Sequence, residues 1–265
     1  MCGETGGNRN REYYEAYDDR YRQVHGKSLL WFSEVPSKIV EEVVRRYQIT
    51  RSMKCLEVGC GEGRDALHLL KQDYHLLATD LSRTAINYCK SKLPEKPESF
   101  QVLNCLTDRI DEGFDFIYAI AVLHMLVLDR DRSLFYRFLH AQLSDTGIAL
   151  ICTMGDGREE WHSDVATAFE LQKRNHEASG KELYLAGTSC RKVRFETFFR
   201  EIEGSDLTLL ESGMTSMEPD FPVMMYAVVK RNIGGCASPA RICDSCTAAA
   251  QPSPPAKNAA MPPEH

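Results

Sequence analysis

The chain has 265 residues, 43% apolar and 26% charged, an ordinary globular composition with room for one elaborated α/β domain or two small ones. A net charge of −6 disfavours a nucleic-acid partner, which asks for a basic stripe, so none is expected. The polar opening MCGETGGNRN lacks the apolar core of a secretory signal, and the longest apolar run, Phe116 to Leu128, is broken by His124 and too short to span a bilayer, so no membrane contact is expected either.

Residues 12–22 read as a polar helix with Tyr13, Tyr14, Tyr17 and Tyr21 at helical spacing. It either packs its tyrosines on the domain or forms a flap over a ligand pocket, and residues 1–28 are taken as this N-terminal helical flap. After Leu29-Leu30-Trp31-Phe32, Pro36 opens a helix through Tyr47 whose apolar face carries Ile39, Val43 and Val44. The apolar run into Glu57 predicts the first strand. It breaks at Gly59, Gly61 and Gly63 and passes into a helix with Ala66, Leu67, Leu69 and Leu70 on one side.

A second strand from Tyr74 to Thr79 ends at Asp80, and Ser82 caps a helix that Pro94 and Pro97 stop. Phe100 to Leu103 is a third strand and Phe114 to Ala121 a fourth, apolar almost throughout as a strand covered on both faces should be. The helix of Leu134, Phe135, Phe138, Leu139 and Leu143 leads through a turn at residues 144–147 to a fifth strand, Ile148 to Thr153. Strand and helix alternate throughout, which implies parallel strands joined by right-handed crossovers.

From Gly155 the rhythm changes. A polar stretch precedes a helix from about Val165 to Ser179, ended by Gly180, with a loop to Arg191; residues 155–191 thus form a helical lid insertion. A helix bearing Phe195, Phe198, Phe199 and Ile202 follows, then an antiparallel hairpin of Leu207 to Glu211 and Val223 to Lys230. Residues 232–265, rich in Ala, Pro, Ser and Cys, cannot bury enough surface to fold alone and read as a disordered tail. Its Cys236, Cys243 and Cys246 fall short of the four ligands of a structural zinc site, so no metal is expected. Most of the others, Cys55, Cys60, Cys89, Cys105 and Cys152, lie singly within expected elements, which with no secretory signal reads as a reduced, cytoplasmic protein.

The glycine spacing decides the ligand. A dinucleotide fingerprint needs G-x-G-x-x-G, but Arg64 stands where its third glycine belongs and Gly63 comes one place early. Asp80, at the carboxyl end of the second strand, is where an acid takes ribose hydroxyls, which SAM and NAD share. Glu57, Gly59, Gly61, Gly63 and Asp80, with Phe114-Asp115-Phe116-Ile117-Tyr118-Ala119 as fourth strand, together resemble class I S-adenosylmethionine (SAM) methyltransferases over residues 29–231. The segment LEVGCGEGRDALHLL, with Trp31-Phe32 ahead of it, is similar to the small-molecule branch of tellurite-resistance and thiopurine type.

That resemblance implies a Rossmann-like α/β fold: a seven-stranded, mostly parallel sheet in the order 3-2-1-4-5-7-6, helices on both faces and a closing antiparallel hairpin. It implies SAM as cofactor and a small-molecule methyl acceptor as partner. Gly59, Cys60, Gly61 and Gly63 would cradle the methionine part, Glu57 its ammonium, and Asp80 the ribose. Leu81 would pack on adenine, Ile120 and Ala121 would border the methyl group, and Trp31 would cover the cofactor. The family's acid after the third strand is replaced by Asn104-Cys105-Leu106, so backbone of Cys105 and Leu106, or a swing of Asp108, would meet the adenine amine. His124 has three readings: a general base, a loop hydrogen bond, or a pocket lining without chemistry. A methyltransferase for a macromolecule and a SAM-binding protein without catalysis are the alternatives.

Overall fold

The structure is a computed structural model that describes residues 11–176, 180–232 and 241–242. The first ten residues, part of the expected flap, lie outside it. Helix α1 (Ala16–His25) follows a single 3-10 turn at Tyr13–Glu15, and α2 (Lys38–Arg46) buries Ile39, Val40, Val43 and Val44 along one stripe. Strand β1 (Cys55–Val58), α3 (Arg64–Lys71), β2 (Leu76–Asp80), α4 (Arg83–Lys92), β3 (Phe100–Val102), β4 (Phe114–Ile120), α5 (Asp129–Gln142) and β5 (Leu143–Met154) supply the alternating half. Ser82 caps α4 as expected, its hydroxyl accepting from Ala85 N.

The strands of this half are parallel neighbours in the order β3-β2-β1-β4-β5. The closing hairpin is β10 (Leu207–Met217) and β11 (Phe221–Arg231), longer than expected, and β11 lies antiparallel beside β5. Counting these as sixth and seventh strands, the order is the predicted 3-2-1-4-5-7-6. Alternation within each strand divides the core between two faces. Cys55, Phe116, Tyr118 and Leu150 face α2, α3 and α4, while Leu56, Ile117, Ala149 and Ile151 face α5 and α6 (Phe195–Glu203). Among the described residues no helix is long and apolar enough to cross a membrane.

The insertion corrects the helical expectation. After a two-residue strand β6 (Trp161–His162), Asp164 caps only a 3-10 turn at Val165–Thr167, and the chain then forms an antiparallel hairpin of β7 (Leu171–His176) and β8 (Lys181–Ala186). The overlooked signal is the alternation in Glu182-Leu183-Tyr184-Leu185. Leu183 and Leu185 are buried against Val24 of α1 while Tyr184 faces solvent, so a tertiary partner favours strand over local helical tendency. Strand β9 (Arg191–Lys192) returns beside β6. Of the expected tail, Arg241–Ile242 pair in parallel with Glu211 and Ser212 as β12, and residues 233–240 and 243–265, with the tail cysteines, lie outside the described residues.

One buried ion pair fixes the loop after β4. Arg132 of α5, 1% exposed, donates from Nε and Nη2 to the two carboxylate oxygens of Glu201 at 2.7 and 2.6 Å, and from Nη1 to the carbonyls of Leu123 and Leu126. Removing one partner strands a buried charge. Glu201→Ala should therefore lose about 3 kcal/mol of stability in chemical denaturation; an unchanged midpoint would contradict the assignment.

Candidate functional site

Between β1 and α3 the chain turns through Gly59, Gly61 and Gly63, with φ of 73°, 53° and 80°. All three lie in the left-handed region that side chains avoid. Space forbids a side chain as well: a Cβ on Gly59 would strike Val122, one on Gly61 would lie 2.6 Å from the Tyr21 hydroxyl, and one on Gly63 would lie 2.8 Å from Cys89 Sγ. The loop is thus the meeting point of the chain after β4, of α1, and of α4.

Asp80 holds it from β2. One carboxylate oxygen accepts from Gly61 N at 2.8 Å and the other from Ser82 N at 2.7 Å, while burial pushes the carboxyl up to about 6. Glu57 is 3% exposed and accepts from the Tyr118 hydroxyl at 2.9 Å. Burial first, and then the charge of Asp65, drive it well above the usual carboxylate range. The two acids line one cavity at the carboxyl edge of the sheet, where open α/β sheets take their ligands.

Ten of the thirteen residues expected from the sequence line this cavity: Glu57, Gly59, Cys60, Gly61, Asp80, Leu81, Cys105, Leu106, Ile120 and Ala121. Tyr14, Tyr17 and Tyr21 of the N-terminal segment line it too, which favours the flap reading of that helix. Three stand back. Gly63 is the N-cap of α3. Trp31 lies under the Arg20 guanidinium, 4.5 Å from its ring centroid, and meets the glycine loop through its backbone. Asp108 is turned into its own loop, accepting from Asn104 N and Thr107 Oγ1, and does not swing toward the cavity.

His124, expected as a base, a loop hydrogen bond or a pocket lining, is the third. It sits on a 3-10 turn (Leu123–Met125), 3% exposed, with its ring 5.6 Å from that of Phe221 and no hydrogen-bond partner at Nδ1. Burial, then the charges of Arg132 and Lys192, pull its pKa down to about 3. A general base needs contact with its proton and a pKa near the working pH. His124 is packed against Phe221 and is not among the residues that line the cavity.

Two acids that sequence reasoning passed over fasten the cover. Glu62, inside the glycine loop and 9% exposed, pairs with His25 Nε2 at 2.8 Å and accepts from the backbone N–H groups of Trp31 and Phe32 at 2.9–3.0 Å. Asp220, in the turn of the closing hairpin, accepts from Ser33 N, Ser33 Oγ and Arg64 Nη1. Both contacts span long stretches of chain, so neither shows in local spacing. Arg20 and Tyr17 of α1 complete the cover by donating to the carbonyls of Ala186, Gly187 and Ser189.

Comparison with known proteins agrees with this architecture. Residues 56–149 match a family model described as a methyltransferase domain. The chain is 25% identical over 226 residues to a malonyl-[acyl-carrier protein] O-methyltransferase of Bacillus cereus, covering 83% of this chain and 80% of that one. Its fold is shared with a TehB-like SAM-dependent methyltransferase from Corynebacterium glutamicum (TM-score 0.50, 21% identity, 83% and 98% coverage). It is shared also with the glycopeptide N-methyltransferase MtfA in complex with SAM (TM-score 0.52, 16% identity, 72% and 86% coverage). The class I fold expected from the glycine loop is borne out, and the matched domain and the relatives are methyltransferases, in agreement with the resemblance.

Glu62 generates a direct prediction. Glu62→Ala removes an acceptor shared by two backbone amides, so hydrogen exchange at Trp31 and Phe32 should accelerate by at least about tenfold. Exchange at wild-type rates would mean that Glu62 does not hold the segment.

Proposed function

We propose that this SAM-dependent methyltransferase of the class I fold serves a small-molecule acceptor whose nucleophile arrives already charged or soft, a thiolate or a reduced metalloid. SAM supplies an electrophilic methyl group on a sulfonium. Its fit is supported by the glycine cradle, which any Cβ would fill, and by the two acids Glu57 and Asp80 in the cavity lining. In this reading Glu57 faces the ammonium, Asp80 the ribose hydroxyls, and Leu81 with Cys105 and Leu106 the adenine. Ile120 and Ala121 border the methyl group.

One observation carries the acceptor class: the candidate base after β4, His124, is 3% exposed and is not among the residues that line the cavity. His124 is buried and neutral. Tyr17 donates its hydroxyl to Ser189 O, and burial pushes it up to about 12. Asp80 and Glu57 belong to the cofactor's ends. An acceptor that has already lost its proton, or never carried one, needs only to be aligned, and alignment alone supplies several kcal/mol of barrier lowering. The tyrosine-lined cover favours a small molecule and the exclusion of water.

A carboxylate also brings its own charge, and the Bacillus cereus relative, a malonyl-[acyl-carrier protein] O-methyltransferase by name, makes a carrier-bound acid the second reading. The cytoplasm, where thiols stay reduced, is the proposed location; all six cysteines described are free.

The test is SAM turnover across thiols, reduced selenium and tellurium species, a malonyl thioester, amines and phenols. Soft acceptors should react fastest, and His124→Ala should leave the pH–rate profile of the best one unaltered. Preference for the malonyl thioester would move the assignment to the second reading. Preference for an amine or phenol would contradict both.

A further inference from the structure

Glu57 and Tyr118 face each other across the parallel pair of β1 and β4, in direct register. Glu57 is 3% exposed and Tyr118 fully buried, and the hydroxyl donates to Glu57 Oε2 at 2.9 Å. The Tyr118 ring is stacked on Phe116 at 5.4 Å, so the strand and its neighbour fix where the hydroxyl points. A tyrosine here is not needed to fill the core, since phenylalanine packs as well; the hydroxyl is the part with a task.

Glu57 has a difficult position. Out of water, a carboxylate tends to take up a proton, and Asp65 of α3 and Asp80 of β2 add like charge. On the other side stand the Arg64 guanidinium of α3 and the Tyr118 hydroxyl. Arg64 is itself engaged by Asp220 at 3.1 Å. Asp65 is occupied by Ser37, whose N and Oγ donate to it at 2.6 and 2.7 Å. The donor given to Glu57 by name and geometry is therefore Tyr118. Burial and the nearby acids push the Tyr118 phenol well above its ordinary range, so it stays protonated and acts only as donor.

We propose that Tyr118 is a positioning residue for the methionine end of the cofactor: its hydroxyl fixes the Glu57 carboxyl group in one orientation toward the ligand's ammonium. This rests on the assignment of Glu57 to that ammonium. A rotated Glu57 would leave the ammonium without its partner, while ribose and base, assigned to Asp80 and its neighbours, would be unaffected.

The experiment compares wild type, Tyr118→Phe, Glu57→Gln and the double variant by calorimetry. The ligands are SAM, S-adenosylhomocysteine and adenosine, the last lacking the amino-acid chain. Tyr118→Phe should weaken SAM and S-adenosylhomocysteine by about three- to tenfold and leave adenosine within about twofold. On the Glu57→Gln background, adding Tyr118→Phe should change SAM affinity by less than about twofold, since the two act as one unit. Equal losses for SAM and adenosine would reduce Tyr118 to packing and overturn the proposal. So would a further loss of about tenfold in the double variant. Weakening by Glu57→Gln with none by Tyr118→Phe would sink Tyr118 alone. No effect of Glu57→Gln would remove the ammonium assignment and Tyr118's role with it.

Discussion

The hydrogen bond from Gly61 N to Asp80 is the contact on which the rest of the site depends. A backbone N–H reaches a carboxylate on the next strand only because three glycines adopt positive φ in five residues. That bent loop leaves room for Tyr21 from above, Val122 from the side and Cys89 from below. Replacing any of the three glycines would add strain and a collision together. The left-handed backbone, the acid at the end of β2 and the cavity are thus one arrangement.

The cover depends on the loop in turn. Glu62 is carried by the loop and gathers the segment around Trp31, and Asp220 fastens the next residues to the closing hairpin. Helix α1 lies between this segment and the β7–β8 hairpin, tied by Arg20 and Tyr17 to carbonyls of residues 186–189. Asp18 on the same helix accepts from Ser82 Oγ at 2.5 Å, reaching the start of α4. The N-terminal segment and the insertion, far apart in sequence, therefore share one roof. A charge-assisted contact of this kind contributes about 1.5–3 kcal/mol, added to the apolar packing of Val24 on Leu183 and Leu185.

What the sequence disclosed was chiefly local. The spacing of Gly59, Gly61 and Gly63, the acid at Asp80, and the apolar run of β4 each lie within one strand–turn–helix unit, and strand order follows from crossover rules. The insertion was misread because Val165 to Leu171 carries helical spacing, whereas Leu183 and Leu185 show their strand pattern only against Val24. His124 attracted a catalytic reading by standing after β4, yet one turn of 3-10 helix directs it onto Phe221. Glu62, Asp220 and Tyr118 were invisible as site residues because their partners come from distant segments or the neighbouring strand. No spacing rule predicts such pairs.

The central claim is that the cavity holds SAM with its ribose on the Asp80 carboxylate, and calorimetry on Asp80→Asn tests it most directly. Asparagine can still accept from Gly61 N but carries no charge for the ribose hydroxyls, so above neutral pH the variant should bind SAM at least about tenfold more weakly. Asp80 takes up a proton as the pH falls through about 6, which removes the advantage of the wild type, and the gap between the two proteins should close over that window. Equal affinities above neutral pH, or a gap that does not narrow on acidification, would contradict the account.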